Sequence, residues 1–104
     1  MGLSLVIPSI IWDSLRRHLL ADWNEHLAFL LAAPAGNRLL VQDIVVIPDD
    51  DLENGGALDG LVLKLPSLLH VINLANKRQL TLVEAHSHPL SRGNVNFSGI
   101  DLVE

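Results

Sequence analysis

The stretch "EHLAFLLAAPAGNRLLVQDIVVIP", residues 25–48, contains two apolar segments separated by a turn, and these two segments determine which fold the chain can form. Residues 25–33 are apolar at nearly every position after the first two, as expected for a strand that is covered on both faces. The residues "APAG", 33–36, predict a turn. Residues 38–48 are rich in β-branched side chains and predict the next strand.

The segments on either side of this pair alternate between strand and helix patterns. Residues 3–7 predict a short strand, and residues 8–22 predict an amphipathic helix with Ile11, Leu15 and Leu19 at helical spacing. After an acidic loop at 49–60, the predicted elements are a strand at 61–65, a helix at 66–78 and a strand at 79–86. The order β-α-β-β-β-α-β predicts an α/β or α+β fold, with helices packed on a sheet.

Composition limits the number of domains and the possible partners. The chain has 104 residues, 49% of them hydrophobic, which is enough for one domain with a modest core. Its net charge of -5, with seven Lys and Arg, argues against a nucleic acid partner. It contains no cysteine, so any metal site must use histidine and carboxylate ligands. No apolar run approaches the roughly 20 residues of a membrane span. We therefore expect a cytoplasmic protein with no membrane partner.

Histidines and a carboxylate gather in "HSHPLSRGNVNFSGID", residues 86–101. In an extended strand Glu84, His86 and His88 point to one side and Ser87 to the other, so the two imidazoles can converge on one ion. Such a pair suits Zn²⁺, with Asp101 as the natural third ligand. The fourth position would then hold a water molecule that zinc activates as a nucleophile.

Two structural interpretations compete with this metal site. A His-x-His sequence also occurs by chance as a structural or surface feature. In addition, Ser98 followed three residues later by Asp101 is a variant of the capping box and would start a third helix. The helix and the metal site are compatible, because an aspartate in the first turn of a helix can still bind a metal.

Taken together, His-Ser-His-Pro followed by Ser-x-x-Asp resembles the JAMM motif of the JAB/MPN metallopeptidase family. Nine residues, 89–97, separate His88 from Ser98, two more than is commonest in that family, so we expect the loop to bulge further. The family also has a glutamate near the start of its second core strand, and Glu25 falls at this position after the first helix. The family usually continues with glycines, whereas this chain continues with residues 26–28, "HLA".

The resemblance implies a single JAB/MPN-like domain over residues 1–104, with a central mixed β-sheet flanked by helices. Family domains continue past the aspartate through a helix and further strands, whereas only residues 102–104 follow here, so we expect a C-terminally shortened domain. The bacterial members that it resembles often precede a ThiF-like activating domain in a longer protein.

The resemblance also implies a chemistry. His86, His88 and Asp101 would hold Zn²⁺, Glu25 would transfer protons as the general base and acid, and Ser98 would stabilise the developing oxyanion. The reaction implied is hydrolysis of an amide or isopeptide bond at the C-terminal tail of a ubiquitin-like protein.

Several alternatives remain open from the sequence. Glu84 shares a strand face with both histidines and competes with Glu25 as the base, although a role as a structural or supporting carboxylate is favoured. Glu25 could also be a solvent-exposed glutamate at a strand end. The whole chain could be a non-catalytic MPN-like module that binds a ubiquitin-like partner or scaffolds a complex. The sequence does not specify an oligomeric state.

Overall fold

The computed structural model describes residues 4–21, 26–53 and 62–87, together with the backbone of residues 95–99. Within these ranges, five strands form one sheet in the order β1-β3-β2-β4-β5. The strands are β1 (Ser4–Val6), β2 (Leu27–Ala35), β3 (Arg38–Ile47), β4 (Thr81–Ser87) and β5 (Val95–Gly99), and the helices are α1 (Ser9–Leu19) and α2 (Leu65–Arg78). β1 pairs in parallel with β3, and the other pairs are antiparallel. The prediction of a mixed sheet flanked by helices is therefore confirmed.

The two strands of residues 25–48 form an antiparallel hairpin at the centre of the sheet. Its turn lies slightly later than predicted, because β2 continues through Pro34 to Ala35. β4 pairs with β2 only between Leu27 and Ala32. Pro34 therefore has no neighbouring strand on that side, and no hydrogen bond of the β2–β4 pairing requires the N–H that proline lacks. The turn contains Gly36, whose φ of 63° is a left-handed conformation that glycine adopts without strain.

Each face of the sheet is covered by one helix, which explains why β2 is apolar at successive positions. One face packs against α1, and its buried residues are Leu15, Leu19, Ala28, Leu30, Ala32, Leu39, Val41, Val83 and Ala85. The other face packs against α2, and its buried residues are Leu27, Phe29, Leu31, Ile47, Leu52, Val71, Ala75 and Leu82. Neither helix in the described ranges is long and apolar enough to cross a membrane.

The predicted strand at residues 61–65 is wrong. Leu63 forms only an isolated antiparallel bridge with Leu52, which directly follows a 3-10 turn at Asp49–Asp51. The segment thus pairs with the chain that leaves β3 instead of joining the sheet. Pro66 then lies in the first turn of α2, where its missing N–H costs nothing, so the helix begins at Leu65.

Candidate functional site

The structure describes part of the predicted site. His86 lies in β4, where it pairs with Leu27 of β2. The backbone of Ser98 lies in β5. Glu25, His88 and Asp101 lie outside the described residues. Of the candidate site residues, the structure therefore describes His86, at the end of β4, and the backbone of Ser98.

His86 lies on the α2 side of the sheet with a carboxylate beside it. Its pairing with Leu27 puts both residues on one face, because directly paired residues of adjacent strands point to the same side. The imidazole Nδ1 is 3.8 Å from Oε2 of Glu84, and both side chains are half-buried. Glu84 and His86 thus share a face as the alternation of side chains predicts. Their polar atoms lie closer together than the roughly 7 Å between alternate residues of a strand.

A metal-bound histidine is typically oriented by a carboxylate that accepts a hydrogen bond from its second ring nitrogen. Glu84 lies beside Nδ1 of His86, but at 3.8 Å the two atoms are beyond hydrogen-bond distance. Two imidazoles and a carboxylate are also a donor set that zinc accepts in catalytic sites. Residues 4–21, 26–53 and 62–87 contain no group of three His, Cys, Asp or Glu side chains close enough for a metal. Two of the three proposed ligands, His88 and Asp101, lie outside those ranges.

Ser98 occupies a strand and not the start of a helix. β5 pairs antiparallel with β4, with Ser98 opposite Glu84 and Asn96 opposite His86. The alternative in which Ser98 caps a third helix is therefore wrong, since the backbone continues in the sheet to Gly99. The free edge of β4 supplies main-chain hydrogen bonds that a local capping pattern does not predict. In this register Ser98 lies two positions from the residue opposite His86.

On the other side of the sheet, two residues are joined by a reciprocal pair of hydrogen bonds, which we call the His26–Ser87 clamp. The N–H of His26 donates to Oγ of Ser87 at 3.1 Å, and the N–H of Ser87 donates to the carbonyl of His26 at 3.2 Å. His26 is 6% exposed and Ser87 is 2% exposed. The clamp therefore extends the β2–β4 pairing by one step beyond Leu27 and His86.

The ring of His26 contacts two further segments. Its Nδ1 is 3.5 Å from Oδ1 of Asp49 in the 3-10 turn, and its ring centroid is 5.5 Å from that of His18 in α1. Nε2 of His18 in turn donates to the carbonyl of Leu27 at 2.9 Å. His26 is buried. The sequence gives no spacing signal for its contacts with His18 and Asp49, because three separate segments meet there.

A mostly apolar cavity of about 220 Å³ lies between β3 and α2 on the same face as His86. Its lining includes Val45, Ile47, Asp51, Pro66, His70 and Val71. Ile47 pairs with Leu27, and Leu27 pairs with His86. Because adjacent strands lie about 4.8 Å apart, Ile47 in the wall of the cavity lies roughly 10 Å from His86 across the sheet.

Comparison of the chain with protein-family models, with curated proteins and with solved structures found no match. The function has therefore to be inferred from the residues of the motif and from the geometry around them.

Proposed function

We propose that the chain is a zinc-dependent peptidase or isopeptidase of the JAB/MPN type. Its reaction is hydrolysis of an amide bond at the C-terminal tail of a ubiquitin-like protein or of its conjugate. The observation that carries the proposal is the pairing of Leu27 with His86. This pairing joins the strand that follows Glu25 to the strand that precedes His88.

The length of the chain limits how far apart these residues can lie. Glu25 is two residues before Leu27, and His88 is two residues after His86. Two extended residues span about 7 Å, so the Cα atoms of Glu25 and His88 each lie within that distance of one member of the pair. Chain connectivity therefore allows the candidate base and the second candidate ligand to lie close to His86, which supports the proposal.

Each residue has a separate role in the proposed reaction. His86, His88 and Asp101 would hold the zinc ion, which when bound polarises the substrate carbonyl and acidifies a water molecule. Glu25 would accept a proton from the attacking water and deliver it to the departing amine. Ser98 donates a hydrogen bond to the carbonyl oxygen as negative charge develops there. Glu84 would orient the ring of His86 through Nδ1 once the two atoms, which are 3.8 Å apart, close to hydrogen-bond distance.

The substrate that we propose is an extended segment with apolar and basic side chains. The cavity between β3 and α2 offers an apolar surface next to the carboxylate of Asp51, and it lies on the face that carries His86. An extended tail can also gain main-chain hydrogen bonds from strand edges, a mode that tolerates varied side chains. We place the activity in the cytoplasm and propose a ThiF-like activating domain as a further partner.

The test is zinc-dependent cleavage of a ubiquitin-like protein that carries a short C-terminal extension, followed by mass spectrometry. We expect cleavage by the zinc-loaded wild type and a loss of about 10²- to 10⁴-fold in Glu25→Gln, because the proton acceptor is removed. Glu53→Gln is the matched control, since Glu53 is exposed at the end of the 3-10 turn, and it should cleave like the wild type.

Two outcomes would contradict this assignment. Full activity in Glu25→Gln together with a loss in Glu84→Gln would transfer the role of base to Glu84. Binding of the ubiquitin-like protein without zinc-dependent cleavage would support the alternative of a non-catalytic MPN-like module.

A further inference from the structure

The His26–Ser87 clamp joins the two residues that lie between the candidate site residues. Ser87 stands between His86 and His88 in the sequence, and His26 directly follows Glu25. The two hydrogen bonds of the clamp therefore fix the backbone at the residues next to Glu25 and His88 in the sequence.

The clamp is anchored on the face of the sheet that is opposite to His86. Ser87 points to the same side as Val83 and Ala85, which belong to the core under α1. The ring of His26 lies there in contact with Asp49 and His18, and the ring of His18 is hydrogen-bonded to the carbonyl of Leu27. Residues of α1, the 3-10 turn and β4 thus all contact His26.

We propose that Ser87 and His26 are positioning residues that set the geometry of the zinc ligands and of the base from the opposite face of the sheet. This inference rests on the proposed function. A serine hydroxyl within the His-x-His sequence accepts the N–H of the residue after Glu25, so this bond links the backbone next to Glu25 to the backbone next to His86. Residues that hydrogen-bond directly to metal ligands typically change metal affinity by roughly 10- to 100-fold when they are removed, and the clamp acts through the backbone next to the ligands, so we expect an effect at the lower end of that range.

The experiment is a zinc titration of the full chain against a chromophoric chelator, with thermal unfolding of each apo variant measured in parallel. Ser87→Ala removes the acceptor, and Ser87→Thr keeps it. Val83→Ala is the matched control, because Val83 is 2% exposed in the same strand and on the same face but takes no part in the clamp. Asp49→Asn removes the exposed carboxylate that contacts His26. It provides a second test of the inference if Ser87→Ala does not fold.

We expect Ser87→Ala to bind zinc about 10-fold or more weakly than the wild type, and Ser87→Thr to restore most of the affinity. Asp49→Asn should shift the affinity in the same direction by less. Val83→Ala should lose thermal stability but retain the wild-type affinity. Equal zinc affinity in the wild type, Ser87→Ala and Asp49→Asn would overturn this inference alone. A wild type that binds no zinc would overturn the proposed function and the inference together.

Discussion

Asp43 ties β3 to the end of α2. Its Oδ2 accepts a hydrogen bond from Nη1 of Arg78 at 3.0 Å, and its Oδ1 accepts the N–H of Ile44 at 2.8 Å. The Arg78 hydrogen bond, and to a lesser degree the Ile44 bond, hold the pKa of this carboxyl below its ordinary value of 3.8. Both side chains of the ion pair are substantially exposed, so solvent screens the interaction.

Asp43→Asn tests this contact through the pH dependence of stability. At pH 7 we expect the variant to lose at most about 1 kcal/mol of unfolding free energy. Because the pKa of Asp43 is lowered in the folded state, its stabilisation is complete above the ordinary value of 3.8 and is lost as the pH falls through the folded pKa. Urea denaturation of both proteins should therefore show a difference that shrinks below pH 3.8. A difference that stays constant into that acidic range would contradict the assignment.

Helix α1 is held to the sheet by a narrow apolar stripe. Leu15 and Leu19 are completely buried against β2, β3 and β4, whereas Ile10 near the start of the same helix is 75% exposed. The basic residues Arg16 and Arg17 lie in the last turns, where positive charge interacts favourably with the helix dipole. Packing of the stripe, and not helix propensity alone, therefore stabilises this short helix.

Leu15→Ala measures the strength of that packing. We expect a loss of about 2–5 kcal/mol in unfolding free energy, because the substitution removes buried methyl groups and leaves a cavity. Ile10→Ala in the same helix should change the unfolding free energy by less than about 0.5 kcal/mol. Chemical denaturation of the two variants provides the comparison, and similar losses in both would mean that α1 packs through a different face.

The sequence predicts a helix or strand well when the hydrophobic pattern of its own residues reflects which of its faces are buried. The continuous apolar run of β2 reflects its two covered faces, and the spacing of Ile11, Leu15 and Leu19 reflects one packed helix face. The strand predicted at residues 61–65 fails because the bridge between Leu63 and Leu52 depends on where a distant segment lies. Hydrophobic pattern alone does not distinguish such a bridge from a strand of the sheet.

At the scale of the whole molecule, the sequence predicts those features of the candidate site that follow from the alternation of side chains along a strand. Glu84 and His86 share a face, as alternation requires, and the sheet brings the start of β2 next to the end of β4. The contacts of His26 with His18 and Asp49 were not predictable, because they form only when α1, β2 and the 3-10 turn meet. The surroundings of the site are thus set by tertiary structure, whereas its candidate ligands are visible in the motif.

The central claim is that His86 is a ligand in a zinc site, and zinc stoichiometry tests it most directly. The measurement is elemental analysis of the wild type, His86→Ala and His70→Ala after zinc loading and dialysis. His70→Ala is the matched control, since His70 is an exposed histidine of α2 outside the proposed ligand set. We predict about one zinc ion per chain in the wild type and in His70→Ala, and a loss of the ion in His86→Ala. Absence of zinc from the wild type, or full retention in His86→Ala, would contradict the account.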